Sequence, residues 1–192
     1  MTVVDHSFGI HITWTTYASR LPGDERSYVS NTYIPGKGYV RKQNTPGMPY
    51  TSDSPATRER ARKLQKWDTV YLDAEDAFVV AEALVAAAKK NGWHIPRAAV
   101  IANHVHAVVI NCPADGPAIR RVLKGNAYAA LTEHRGKPLR WWTTGGSDRQ
   151  KHGEHALLTA IEYVANQDGK LGEVIEMKAY RCRENAGPRE NG

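Results

Sequence analysis

Cysteine is nearly absent from this chain: Cys112 and Cys182 are the two in 192 residues. Their spacing matches no thiolate zinc motif, and two thiols are too few for a disulfide framework. A disulfide-stapled secreted scaffold is thereby excluded, and a cytoplasmic protein is expected. No apolar run approaches the length that crosses a bilayer, and no N-terminal signal pattern stands out, so no membrane attachment is expected. Acidic residues are in the minority, 20 against 26 lysines and arginines, leaving a net charge of +6. A positive balance favours an anionic partner such as nucleic acid. The length suits one well-buried core and is short for two full domains.

The charge is concentrated. Between Gly36 and Trp67 stand Lys37, Arg41, Lys42, Arg58, Arg60, Arg62, Lys63 and Lys66, opposed only by Asp53 and Glu59. That one segment therefore carries as much net charge as the whole chain. Tyr39, Tyr50 and Trp67 lie among these cations, and Pro46, Pro49 and Pro55 interrupt any long regular element. Cations interleaved with aromatics suit phosphate contact and base stacking on single-stranded nucleic acid. The alternative is a solvated loop whose charges only confer solubility. Arg58 to Trp67 also reads as a short helix that lays its arginines along a nucleic-acid backbone.

Further along, a run rich in β-branched residues from Trp93 to Ile110 contains His104-Val105-His106. Side chains alternate faces along a strand, so His104 and His106 point the same way, about 7 Å apart. Two neutral imidazoles so placed can grip one divalent ion if a third ligand arrives from elsewhere. The bland alternative is a structural pair, since a lone His-x-His on a strand is common.

A second constellation lies downstream. Leu157, Ala160, Ile161 and Val164 have helical spacing within Glu154 to Gln167, which predicts an amphipathic helix. At about 100° per residue, Tyr163 and Gln167 fall on one flank of that stripe, a turn apart. A hydroxyl and a carboxamide are thus offered together to whatever the helix packs against. A boundary tyrosine with a buried ring and a wet hydroxyl is the other reading.

The remaining elements read as follows. Phe8 to Tyr17 is a strand, Asp73 an N-cap, and an Ala-rich helix runs from there to Gly92. Trp93 to Ala102 and Val105 to Ile110 are two strands joined near Asn103. Pro117 opens a helix with Ile119, Val122, Leu123, Ala127, Ala130 and Leu131 on its apolar face, and Gly136 ends it. Arg120, Arg121 and Lys124 project from that helix as a basic strip, a further candidate DNA contact. Arg140 to Thr144 reads as a fourth strand, Thr143 to Gly153 as a Gly-rich polar loop, and everything from Gly169 as a loosely held polar tail. Strand, helix, strand, strand, helix, strand is the ferredoxin-like order. The expected fold is α+β, an antiparallel sheet with helices on one face and an added C-terminal tyrosine helix.

Several separated motifs together resemble a known family. Asn103-His-Val-His-Ala-Val-Val109, the Lys124-Gly125 helix, Trp141-Trp142 and the final Tyr-x-x-x-Gln helix are similar to the IS200-like single-tyrosine transposases. These belong to the His-hydrophobic-His endonuclease superfamily and include relatives associated with repetitive extragenic palindromes. Ile12 to Arg26 resembles the first strand and following turn of that group. The likeness spans residues 8 to 168, so one nuclease domain is expected over 1–168, with a basic insertion at about 18–68 and a tail over 169–192. The insertion and the tail depart from the family pattern.

The resemblance implies Mg²⁺ or Mn²⁺ on His104, His106 and Gln167, with Tyr163 as nucleophile and a 5′-phosphotyrosine intermediate. It implies single-stranded or hairpin DNA as partner, and either a homodimer that exchanges tyrosine helices or a monomer acting in cis. Two other functions stay open on the residues alone. One is a metal-dependent nuclease using water, with Tyr163 structural. The other is a non-catalytic DNA-binding protein descended from a transposase.

Overall fold

The computed structural model describes residues 8–22, 32–34, 38–40 and 55–182. It divides into two compact units, Tyr17–Val70 and the remainder, Met1–Thr16 with Tyr71–Gly192. In order, the elements are β1 (Phe8–Thr15), β2 (Thr32–Ile34), β3 (Gly38–Val40), α1 (Pro55–Lys63), α2 (Ala74–Lys90) and β4 (His94–Ile101). They continue as β5 (His104–Ile110), α3 (Gly116–Arg135), β6 (Ser147–His152), α4 (Glu154–Ala165), β7 (Lys170–Ile175) and β8 (Lys178–Arg181).

In the larger unit the sheet order is β6-β1-β5-β4-β7-β8, and every pairing is antiparallel. Its first four strands have the ferredoxin-like order, and the whole is α+β as expected. Side-chain parity sorts the two faces. Ile10, Ile12 and Trp14 alternate with His11 and Thr13 along β1, and the first three are buried. Directly paired residues share a face. Trp14, Val105, Val100 and Gly172 thus make one row, while Thr13, His106, Ala99 and Glu173 make a row on the other side.

Helices α2 and α3 cover the first face. Asp73 caps α2, accepting from the Asp76 amide at 2.8 Å, while Asp76 accepts from the Asp73 amide at 3.3 Å. This capping box satisfies two otherwise orphaned helix donors. Arg135, at the end of α3, donates to Asp76 through Nε at 2.8 Å, locking the two helices together. The alanines of α2 let it approach closely: a Cβ on Gly172 would stand 2.7 Å from the Ala77 carbonyl oxygen. Helix α4 covers the opposite face, laying Leu157, Ala160 and Val164 on Ala99, Val108 and Ile110. Burial of Leu157 or Val164 is worth roughly 1.5–3 kcal/mol each.

Three expectations fail here. Arg140 to Thr144 forms no strand; it touches the sheet through one bridge, Thr16 to Trp142. Trp141 and Trp142 are both buried and donate to Thr132 Oγ1 and the Lys124 carbonyl, so they pack as core plugs. The edge strand is instead β6, inside the stretch read as a polar loop. The described part of the expected tail is not loose either, because β7 and β8 extend the sheet past β4.

The smaller unit pairs β2 with β3, setting Tyr33 opposite Tyr39. Within it, the Val70 amide donates to the Tyr17 carbonyl at 3.0 Å, and Tyr17 meets Trp67 edge to face. Helix α1 buries none of its residues.

Candidate functional site

The turn between β4 and β5 delivers His104 and His106 to the centre of the sheet, on the face covered by α4. Their rings lie 4.8 Å apart, nearly perpendicular at 83°. His106 is only 6% exposed. His104 Nδ1 stands 2.6 Å from Asn103 Oδ1. A carboxamide oxygen only accepts, so this contact puts the imidazole proton on Nδ1 and the lone pair on Nε2.

Strand β1 adds a third imidazole. His11 Nε2 is 3.1 Å from His106 Nδ1, and Thr13 Oγ1 is 2.9 Å from the same atom. Thr13 Oγ1 also lies 3.5 Å from His11 Nε2. Burial, then the charges of Lys151 and Arg149, lower the His11 pKa to about 4. It is therefore neutral near pH 7. The His-x-His spacing does not reach His11, but the parity of β1 does: Ile10, Ile12 and Trp14 claim one face and leave His11 and Thr13 on the other.

Helix α4 brings Tyr163 to this cluster. Its ring is edge-on to His106 at 5.7 Å and to His11 at 5.6 Å. It remains 52% exposed, so the ring is not the buried boundary tyrosine of the bland reading. Gln167 differs from expectation. Helix α4 ends at Ala165, so Gln167 lies beyond the cap residue Asn166, and its Nε2 donates to the Tyr163 carbonyl at 3.1 Å. The carboxamide thus folds back on the last helical turn, and its oxygen is the donor left for a ligand.

Among the described residues, no three His, Cys, Asp or Glu side chains form a metal-holding group. The donor set does fit a divalent ion as a partial site. His104 and His106 would supply two imidazole ligands, and oxygens from Gln167, water or a phosphate would be needed to complete the shell. Cys112 is no substitute, since burial pushes its thiol up to about 11.

The basic candidates separate into groups. Arg120 is engaged with Asp148 at 2.5 Å. Lys124 donates to the Thr143 and Gly145 carbonyls at 2.7 and 2.8 Å. Burial and then Arg120 press its pKa down to about 8. Arg120 therefore holds β6 and Lys124 the loop before it, and of the expected strip on α3 Arg121 alone is exposed. Moreover, α3 lies on the face opposite Tyr163. Arg58, Arg60, Arg62 and Lys63 stand on α1, the last three exposed. Lys37, Arg41 and Lys42 fall outside the described residues. Arg149 and Lys151, which polarity alone assigns to a loop, pair with His11 and Gly9 across β6 and so share the face of the histidine cluster.

No protein-family model and no curated protein matches the chain. Among solved structures, it is similar to a REP-associated tyrosine transposase bound to a REP hairpin. The identity is 10% and the TM-score 0.41, over 85% of this chain and 68% of that one. Values this low leave the functional argument to the geometry.

Proposed function

We propose that this protein cleaves and rejoins single-stranded or hairpin DNA through a 5′-phosphotyrosine on Tyr163, with His104, His106 and Gln167 holding Mg²⁺ or Mn²⁺. The observation that carries the reading is the edge-on approach of the Tyr163 ring to His106, at 5.7 Å, from a helix on the opposite side of the chain's order to β5. When bound, the ion supplies Lewis-acid polarisation of the scissile phosphate. The chain does the rest. The Tyr163 oxygen attacks phosphorus in line, losing its proton to solvent. The bond from phosphorus to the DNA 3′-oxygen breaks, and that oxygen takes up a proton. Attack by another DNA 3′-hydroxyl reverses the step and joins new ends. Arg149 and Lys151 add positive charge on the same face, where a phosphate backbone must lie.

Helix α4 packs on its own sheet, which supports a tyrosine acting in cis. A non-catalytic DNA-binding role is the competing reading, favoured because no three His, Cys, Asp or Glu side chains among the described residues are placed to hold an ion.

The test is a protein–DNA adduct that survives denaturation on hairpin DNA with added Mn²⁺. Wild type and Tyr128→Phe should form it and Tyr163→Phe should not, while the affinity of Tyr163→Phe for DNA stays within a few-fold. An adduct undiminished in Tyr163→Phe, or no adduct in wild type, overturns the reading.

A further inference from the structure

The histidine pair has an asymmetry. Asn103 fixes the proton of His104, and the Nδ1 of His106 has partners of another kind. It meets two side chains from β1, Thr13 at 2.9 Å and His11 at 3.1 Å. Thr13 pairs directly with His106 across the β1–β5 ladder, and His11 sits two residues further along the same face. The three polar atoms form a triangle whose long edge, Thr13 to His11, is 3.5 Å.

We propose that Thr13 and His11 are positioning residues for His106: they accept its Nδ1–H and so present its Nε2 lone pair to the face shared with Tyr163. The hydrogen bonds are balanced on this assignment. Thr13 Oγ1 accepts from His106 Nδ1–H and turns its own hydrogen to His11 Nε2, whose lone pair is also in reach of His106. His11 then carries its own proton on Nδ1. A neutral imidazole has one donor and one acceptor nitrogen, so a donor at Nδ1 forces an acceptor at Nε2. His104, bonded to Asn103, reaches the same state by another route, and the two rings then offer matched lone pairs. Such outer partners fix the tautomer and ring orientation of a metal-binding histidine. His11 fits this role better than that of a base toward Tyr163, because its Nε2 is turned to His106.

The consequence for an ion rests on the proposed function, but the tautomer does not. The first measurement is therefore long-range ¹H–¹⁵N NMR on the metal-free, full-length protein at neutral pH. His106 should show its proton on Nδ1. The second is Mn²⁺ binding alone, without DNA, followed by electron paramagnetic resonance. Thr13→Val and His11→Leu should each weaken Mn²⁺ on the order of 10-fold, within the range such outer partners command. Thr13→Ser keeps the acceptor oxygen and His11→Gln puts a carboxamide oxygen in place of the acceptor nitrogen, so both should recover most of the affinity. Hairpin binding in chelator should stay unchanged in all four variants.

A proton on Nε2 of His106 in wild type overturns the proposal, with no variant needed. So does Mn²⁺ affinity that is unmoved in Thr13→Val and His11→Leu, or absent from wild type. The two proposals fail separately. A wild-type protein with the expected tautomer and Mn²⁺ response but no covalent adduct sinks the phosphotyrosine chemistry and leaves the positioning role standing.

Discussion

The ammonium of Lys170 donates to the main-chain carbonyl of Ala165 at 2.8 Å, so the strand that follows the tyrosine helix also holds its last turn. Lys170 bonds Glu173 as well, at 2.9 Å, and Glu173 pairs with Arg97 of β4 at 3.1 Å. A cation at a helix C-terminus meets the negative end of the helix dipole. Lys170→Met should therefore cost about 1 kcal/mol in urea denaturation. It should also lower the yield of covalent adduct, because the turn carrying Tyr163 and Gln167 is loosened. Ending the chain after Gly169 should cost far more, since it strips β7 and β8 from the sheet and uncovers β4. A shortened protein as stable as the full chain would show that these strands do not dock.

The ligands proposed for the ion differ in what replaces them. Loss of one imidazole leaves a single nitrogen ligand, so His104→Ala or His106→Ala should abolish metal-dependent cleavage. Gln167→Ala should weaken it by a smaller factor, because water takes the place of a neutral amide. Chelator should stop cleavage by wild type while leaving much of the DNA binding. Normal cleavage by His106→Ala at limiting Mn²⁺ would make the pair structural.

Lys124 titrates in an unusual direction. Its pKa falls from 10.5 to about 8 on folding. Between those values the unfolded chain binds more protons than the folded one, so stability from this residue rises with pH across that window. A depressed lysine thus does the opposite of one that gains an ion-pair partner. Lys124→Met should remove the rise. Its salt dependence of DNA binding should match wild type, because the ammonium is spent on Thr143 and Gly145. Denaturation curves from pH 7 to about 10.5 check the first point and DNA titrations the second. A flat difference between the two proteins across that range contradicts the burial of the charge.

What the sequence revealed depended on how strongly each element buries apolar residues. Helix α2 announces itself through Asp73 and a run of buried alanines, and the β4–β5 hairpin through two β-branched stretches. Strand β6, in contrast, reads Ser-Asp-Arg-Gln-Lys-His and fully buries none of its residues, so no alternation of apolar side chains marks it. Strand β7 buries one large residue, Val174, and carries Gly172 at its centre. That glycine lowers strand propensity, yet only glycine leaves room for the Ala77 carbonyl. Trp141-Trp142 misled in the reverse sense, because two large apolar residues in a row suggest a strand, yet they plug the core from an irregular segment. In the site, spacing made the shared face of the histidine pair and the flank position of Tyr163 legible, and the family resemblance joined them. His11 and Thr13 were not, because their role exists only across a strand pairing.

Helix α1 presents the charge with the least structural excuse. It has no buried residue, and among its cations Lys63 meets Glu59 at 2.9 Å with both side chains well exposed. Such a pair is worth little in water, so it does not explain why the helix is so basic. Arg58 and Arg62 are one turn apart and share a face, as a helix laid along a backbone requires. Neutralising Arg58, Arg60, Arg62 and Lys63 together should weaken DNA binding and flatten its dependence on salt. Each lost phosphate contact lowers the log–log slope by about 0.7 on single strands and about 0.9 on duplex. The quadruple variant should therefore lose up to roughly 3 units of slope, with cleavage at saturating DNA retained. A helix whose charges serve only solubility predicts almost no change. Salt titrations of both proteins on hairpin and unstructured single strands separate the two, and an unchanged slope on both rules out the grip.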